Sequence, residues 1–187
     1  MRIAFAQCTY DRDADNTLTC VRNAVDFVDH VIIVTDGTVP EEKTRAISEC
    51  GPYVEVLVRP FEDNLPKFRQ NYVVKAKELG VDYLIVSDPD EQFNPAFWER
   101  VRGEIEKATA RGVNMLGVRC EEQFEVHDWY DALDEAKESP AKARQSTFYK
   151  QLVFKMLPGL EYRGVGNRLR LRYACPSCGE VEFVDAR

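Results

Sequence analysis

The chain has no run of the roughly 18 apolar residues needed to cross a bilayer, which excludes a membrane-spanning helix. Its first residues, Met1-Arg2-Ile3-Ala4-Phe5-Ala6-Gln7, pass straight into a strand pattern. They lack the apolar core and small-residue cleavage site of a secretory signal, so a cytoplasmic location is expected. Positive charge is in deficit: 25 Lys and Arg stand against 32 Asp and Glu, a formal net charge of -7. That balance argues against a general binder of phosphate backbones, although Arg163, Arg168, Arg170 and Arg172 form a local basic stripe. No Gly-x-x-x-x-Gly-Lys-Ser/Thr segment is present, which excludes a P-loop nucleotide hydrolase. Internal repeats and low-complexity segments are also absent, and 187 residues at 44% hydrophobic content read as a single core-forming domain.

Cysteine is present, but not in the pattern of a disulfide framework. Cys8, Cys20, Cys50 and Cys120 are scattered through apolar surroundings, where a small buried hydrophobe is the usual role. Cys175-Pro176-Ser177-Cys178-Gly179 differs, because that spacing resembles one knuckle of a zinc ribbon. A closed structural Zn2+ site needs four ligands, and no second Cys-x-x-Cys follows. Cys120 and His127, or the same knuckle of a second subunit, would complete it; reduced thiols paired in a turn are the other reading. Residues 174–187 are accordingly set apart as a tail from a main domain of residues 1–173.

What the sequence does contain is a regular alternation of strand and helix patterns. Strands are expected at Ile3 to Cys8, Val31 to Val34, Val54 to Val58, Tyr83 to Val86 and Met115 to Val118. Helices are expected from Asp15 or Asn16 with Leu18, Val21, Val25 and Val28 on one face, from Glu41 to Cys50, from Leu65 to Leu79 with Gly80 as the stop, and from Pro95 to Arg111. This period argues for a largely parallel sheet covered on both faces, the Rossmann-like arrangement. After Arg119 the pattern changes. Glu122 to Val126 alternates like an edge strand, Asp131 to Gln145 is charged, and Gln151 to Lys155 and Glu161 to Val165 read as strands joined by Leu157-Pro158-Gly159. The second half is expected to be an antiparallel addition that covers the crevice.

The segment Asp82-Tyr-Leu-Ile-Val-Ser-Asp88-Pro89-Asp90-Glu91 stands out, since an apolar strand ends there in a cluster of carboxylates. A strand that delivers acids to its carboxyl end is how an open α/β sheet builds a polar site. Asp88 and Asp90 would suit a hard divalent cation, Mg2+ or Mn2+, which takes oxygen ligands and bridges to phosphates. An acidic loop that merely precedes a helix starting at Asn94-Pro95 is the plainer alternative.

Taken in order, these segments resemble the family 2 glycosyltransferases of the GT-A fold, from about Ile3 to Asn167. The matching motifs are Thr9-Tyr10-Asp11-Arg12 after the first strand, Asp36 in Val34-Thr35-Asp36-Gly37-Thr38, Arg69-Gln70-Asn71-Tyr72, the Asp-x-Asp motif Asp88-Pro89-Asp90, and the strand, turn and strand of residues 152–167. Two positions depart from the family. Val165-Gly166-Asn167 stands where many relatives have Val-His-Glu, and Pro89 stands where Ala is frequent.

The resemblance implies a mixed sheet flanked by helices with a small antiparallel C-terminal part, and a metal-dependent, inverting transfer of a sugar from a nucleotide-diphosphate donor to an acceptor hydroxyl. Thr9, Asp11, Asp36, Arg69, Asn71 and Asp88 would bind the nucleotide sugar, and Asp88 and Asp90 the metal. Candidates for the catalytic base are Glu121, Glu122, Glu125 and Asp128, with Glu122 and Asp128 preferred. His127 is suited to metal, acceptor or zinc, with a plain surface or packed imidazole as the simpler reading, and Trp129 and Tyr130 suit a sugar-stacking platform or the core equally. Acceptor recognition through a homodimer or a partner is expected for so short a member of the fold. The rivals are a nucleotidyltransferase, against which the glycine-free Cys8-Thr9-Tyr10-Asp11-Arg12 segment argues, and a binding module without catalysis.

Overall fold

The run Ile3–Thr9 forms the first strand, β1, and all of its residues are buried. A strand with no solvent face needs neighbours on both edges and layers on both sides. In the computed structural model of the chain, β1 lies between β2 (His30–Thr35) and β4 (Tyr83–Ser87), parallel to both. The structure describes residues 1–124, 144–163, 170–173 and 184–186, and for residues 119–124, 144–149, 163, 170–173 and 184–186 it describes the backbone.

The remaining strands are β3 (Val54–Val58), β5 (Met115–Phe124), β6 (Arg144–Lys155), β7 (Leu160–Arg163), β8 (Arg170–Tyr173) and β9 (Val184–Ala186). Seven of the nine described strands make one sheet in the order β3-β2-β1-β4-β6-β5-β9, and β7 pairs with β8 in a separate antiparallel ribbon. The sheet is parallel from β3 to β4, while β6 runs antiparallel to both β4 and β5. This is the mixed α/β sheet flanked by helices, with a small antiparallel part, that the resemblance implies.

Four helices cover the sheet: α1 (Ala14–Ala24, entered through a 3-10 turn at Asp11–Asp13), α2 (Glu41–Ser48), α3 (Leu65–Glu78) and α4 (Pro95–Ala110). Successive side chains of a strand face opposite layers, and β1 sorts itself accordingly. Ile3 and Phe5 join Cys20, Val21, Ile47, Trp98 and Ile105 of α1, α2 and α4; Ala4, Ala6 and Cys8 join Phe68, Tyr72, Val73 and Ala76 of α3. Helix starts follow their chemistry. Asn64 Oδ1 accepts from the Lys67 N–H and Asn94 Oδ1 from the Phe97 N–H, each with proline in the first turn. Helix α3 stops at Gly80, whose φ of 65° suits glycine.

Four expectations change. The α1 face is formed by Ala14, Thr17, Cys20, Val21 and Ala24, with Leu18, Val25 and Val28 only partly buried beside it. The alternating segment from Glu122 is no separate edge strand, because β5 continues unbroken to Phe124 against β6. Arg144 and Gln145, assigned to a charged segment, begin β6. Most consequentially, β6 inserts into the main sheet beside β4. Its buried Leu152, Val153 and Phe154 need cover on both faces, which a peripheral hairpin cannot provide. Strand β9 lies within 174–187 and pairs with β5 in the same sheet.

Candidate functional site

The chain runs from β1 outward to β2 and β3 and then returns to place β4 on the other side of β1. At such a reversal the loops leaving the two strands diverge and open a crevice beyond their carboxyl ends. Here those ends are Thr9 on β1 and Ser87 on β4, and the Asp88-Pro89-Asp90-Glu91 turn follows directly. Gln7 ties the two strands at this level. It is fully buried opposite Ser87, and its Nε2 donates to Ser87 Oγ (3.0 Å) and to the Asp88 carbonyl (2.9 Å).

The acidic turn is held from several sides. Glu91 Oε2 accepts from the Asp88 N–H at 2.9 Å, and the Cys20 thiol on α1 donates to the Glu91 carbonyl at 3.5 Å. Arg69, one helical position after Phe68 on the inner side of α3, pairs with Asp88 Oδ1. Lys150 of β6 stands 3.3 Å from Asp88 Oδ2 and hydrogen-bonds Glu91 Oε1. Burial works against the charge of both cations. The Glu91 bond and the Asp88 charge outweigh it for Lys150, and the surrounding acidic groups, Asp88 among them, do so for Arg69, so both are held above their ordinary values.

Behind Arg69 the hydroxyls of Tyr72 and Tyr162 share a hydrogen bond between α3 and β7. Burial is the largest cause pushing both phenols up, Tyr162 to about 12 and Tyr72 well above its usual 10. Raised folded-state values favour the protonated tyrosine in the native state, so their contribution is complete below pH 10 and is lost as pH rises through the folded values. Stability is therefore expected to fall between pH 10 and about 12, and Tyr162→Phe to flatten that fall in urea unfolding at stepped pH. An unchanged alkaline limb in Tyr162→Phe would remove this assignment.

A second cluster forms at the ends of β1 and β2. Asp36 Oδ1 accepts from both the N–H (2.9 Å) and the hydroxyl (2.7 Å) of Thr38, and Thr38 Oγ1 accepts from the Asp11 N–H at 3.2 Å. Gly37, with φ of 92°, completes the turn. Asp36 therefore serves as the turn-former, and its Oδ2 carries no bond among the described residues. Tyr10 bridges the two clusters: it stacks on Phe68 at 5.9 Å, and burial pushes its phenol up to about 12, with Asp36 raising and Arg69 lowering it.

The structure thus brings Arg69 onto Asp88, and joins Asp11 to Asp36 through Thr38. Thr9 is buried, with its hydroxyl donating to the Tyr10 carbonyl and accepting from Thr17 at 2.8 Å. Asn71 is turned back onto its own helix, donating to the Phe68 carbonyl at 2.9 Å, and lines a groove of about 580 Å³ with Asn64, Gln70, Val74 and Tyr162. Asp90 is exposed and makes no hydrogen bond or ion pair among the described residues. Glu122 lies in the backbone of β5 opposite Ser146, on a ribbon that runs past the carboxyl end of β4. At 3.3 Å per residue it sits about 13 Å beyond the level of Lys150, which pairs with Val118. Glu125, His127, Asp128, Trp129, Tyr130, Cys175 and Cys178 lie outside the described residues.

Sequence reasoning missed Lys150, Gln7 and Thr38. Gln7 had a signal, a polar residue inside an apolar strand, and Thr38 had one in the Asp-Gly turn before it. Lys150 had none, since only the insertion of β6 beside β4 brings it to Asp88. Cys8 bears out the small-hydrophobe reading, as burial pushes its thiol up and leaves it unreactive.

The donor set bears on whether a divalent cation fits. Both oxygens of Asp88 and both of Glu91 are engaged, and among the described residues no three His, Cys, Asp or Glu side chains are grouped to enclose a metal. A protein-enclosed resident metal is not what these residues suit. What they leave for a divalent cation is the exposed Asp90 carboxylate, so Mg2+ or Mn2+ would have to take most of its shell from substrate phosphates and water, with Asp88 available only if Lys150 or Arg69 moved away.

No protein-family model matches the chain, and no curated protein matches it in sequence. Solved structures with a similar course of chain include S. aureus TarS 1-349 at 15% identity and TM-score 0.48, covering 63% of this chain and 35% of that one. A 4-diphosphocytidyl-2C-methyl-D-erythritol synthase is similar at 15% identity and TM-score 0.48, over 83% of this chain and 76% of that one. Core-mannan synthase A from Aspergillus fumigatus, in an Mn/GDP form, is similar at 8% identity and TM-score 0.39, over 67% and 43%. The chain thus spans 35% of the length of the TarS fragment.

No helix among the described residues is long and apolar enough to cross a membrane.

Proposed function

We propose that the chain is a nucleotide-dependent transferase and, within that class, a glycosyltransferase that moves a sugar from a nucleoside diphosphate to an acceptor hydroxyl. One observation carries the reading. The Asp88-Pro89-Asp90-Glu91 turn, with Arg69 and Lys150 against it, stands at the carboxyl ends of β1 and β4 where the strand order reverses. Two cations beside a free carboxylate are what a diphosphate leaving group calls for. Arg69 offers directional N–H donors to phosphate oxygens and Lys150 a mobile point charge. The unengaged Asp36 oxygen and the Asp11 carboxylate supply acceptors for ribose hydroxyls or base N–H groups.

Asp90 and Asp88 would hold Mg2+ or Mn2+, which when bound supplies Lewis-acid stabilisation of the departing diphosphate. The residues of the chain have the other tasks. Arg69 keeps Asp88 oriented, Gln7 fixes the turn to the sheet, and a carboxylate, Glu122 near the end of β5 or Asp128 after it in the sequence, takes the proton from the acceptor hydroxyl, a contribution of about 10²- to 10⁴-fold. Attack from the face opposite the nucleotide makes the transfer inverting. Structural Zn2+ at Cys175 and Cys178 remains part of this reading.

A nucleotidyltransferase is the second reading, favoured by the convergence of Arg69 and Lys150, which would equally suit a triphosphate. The two differ in what leaves. Glycosyl transfer releases a nucleoside diphosphate from a nucleotide sugar, whereas nucleotidyl transfer releases pyrophosphate from a nucleoside triphosphate.

The test is a thermal-unfolding panel of uridine, guanosine, cytidine and thymidine diphosphates and their sugars, with and without Mn2+, on wild type and Asp90→Ala. A ligand at 100 times its Kd stabilises by about 2.7 kcal/mol, a rise of about 5 to 10 °C for a chain of this size. One nucleotide is expected to give a Mn2+-dependent rise that Asp90→Ala loses. A flat panel in wild type would sink the donor-site reading in favour of a binding module.

A further inference from the structure

We propose that Lys150 is a built-in counter-cation that neutralises Asp88 and Glu91 while the site is empty, so that a divalent ion held by Asp90 and Asp88 binds tightly only together with a nucleoside diphosphate. The inference rests on the donor-site reading and adds to it the order and coupling of the two ligands. Strand β6 lies beside β4 and carries Lys150 to the level of the acidic turn. Its Nζ is 3.3 Å from Asp88 Oδ2 and bonded to Glu91 Oε1, while Arg69 holds Asp88 Oδ1 and the Asp88 N–H holds Glu91 Oε2. Two positive and two negative side chains therefore close on one another with no net charge left over.

A bare divalent ion approaching this cluster meets Asp90, whose carboxylate is unengaged among the described residues, and two positive charges behind it. Unlike charges attract and like charges repel with inverse distance, and partial burial weakens the screening by water. The ion gains one negative charge and suffers repulsion from Lys150 and Arg69. A nucleoside diphosphate reverses that balance. Its phosphate oxygens give the flexible Lys150 ammonium a new partner, and the release of Asp88 Oδ2 then exposes a second carboxylate to the ion. The Lys150 side chain is 36% exposed, so it has room to swing without disturbing the core.

Binding of metal and of diphosphate is then coupled, and by thermodynamic necessity each raises the affinity for the other by one shared factor. Removing the ammonium should take away its share of the coupling, leaving the share that comes from phosphate oxygens on the metal, and leave both carboxylates ready for metal.

The experiment is a titration of Mn2+ alone, followed by electron paramagnetic resonance at low ionic strength, on wild type, Lys150→Gln, Lys150→Met and Lys150→Arg, with thermal unfolding as a check that each is folded. Lys150→Gln and Lys150→Met are expected to bind Mn2+ at least about tenfold tighter than wild type, since the competing charge is gone. Lys150→Arg, which keeps the charge, is expected to stay within about threefold of wild type. Repeating the titration with a saturating nucleoside diphosphate should tighten Mn2+ in both wild type and Lys150→Gln, through the phosphate oxygens, and by a larger factor in wild type. Equal Mn2+ affinity of wild type and both neutral variants overturns the proposal. So does wild-type Mn2+ affinity that ignores the nucleotide despite a nucleotide-induced thermal shift. The Mn2+-only arm involves no nucleotide, so failure of the donor reading, a flat thermal panel, is seen separately from failure of the latch.

Discussion

Asp88→Ala is expected to lower both stability and turnover, and Asp90→Ala turnover alone. The difference comes from what each carboxylate touches. Asp88 is paired with Arg69, whose side chain is 19% exposed, and with Lys150, so its removal takes the carboxylate from Arg69 and leaves Lys150 with Glu91 alone. Breaking a fully buried pair from one side costs about 3–5 kcal/mol. Solvent reaches this cluster, with Asp88 itself 33% exposed, and screening reduces the expected loss to about 1–2 kcal/mol. Asp90 is exposed and unpaired among the described residues, and its loss should leave the urea midpoint in place. Turnover of a nucleotide sugar should fall by about 10²- to 10³-fold in each variant, the usual scale for losing one group that stabilises charge in the transition state. Paired urea unfolding and steady-state kinetics check this. Equal midpoints for the two variants would mean that the Arg69 and Asp88 pair is not structural, and turnover in Asp90→Ala within a few fold of wild type would remove Asp90 from the site.

Phe5→Ala should cost about 3–5 kcal/mol, the range for an aromatic side chain removed from a core that cannot collapse around the void. Phe5 has no exposed surface and meets Trp98 edge-on at 5.6 Å and Phe93 at 6.4 Å. Phe93 in turn stacks on Phe97 at 4.1 Å, so the cluster joins β1, α4 and the segment just after Glu91. The void would loosen the wall on which the acidic turn rests. A drop in melting temperature of about 10 °C is expected for a chain of this length, with turnover falling by more than the unfolded fraction explains. A loss under about 1 kcal/mol would show that the aromatic cluster repacks.

Much of the parallel half was legible in the residues. The strands at Ile3, Val31, Val54 and Tyr83, the Asn94-Pro95 start and the Gly80 stop all stand where apolar period and cap chemistry put them. Those signals are local, written within a few residues of the feature they mark. The antiparallel half was read less well, because alternation in Glu122 to Val126 marks a strand without saying that it continues one already begun. Asp88 shows the same limit in the site. Its position after an apolar strand marked it as a candidate metal and nucleotide ligand, but nothing in the sequence pointed to the ion cluster it forms with Arg69 and Lys150.

By itself the sequence determined which segments become strands and helices, which faces are apolar, and that a group of carboxylates terminates the fourth strand. Period, capping and turn chemistry depend on neighbours in the chain, so they can be read from it. Tertiary structure alone decided that β6 lies between β4 and β5 and that Lys150 therefore meets Asp88 across 62 positions of chain. Strand order is settled by which buried surfaces fit together once the whole chain has collapsed, and the charge of the site follows from that order.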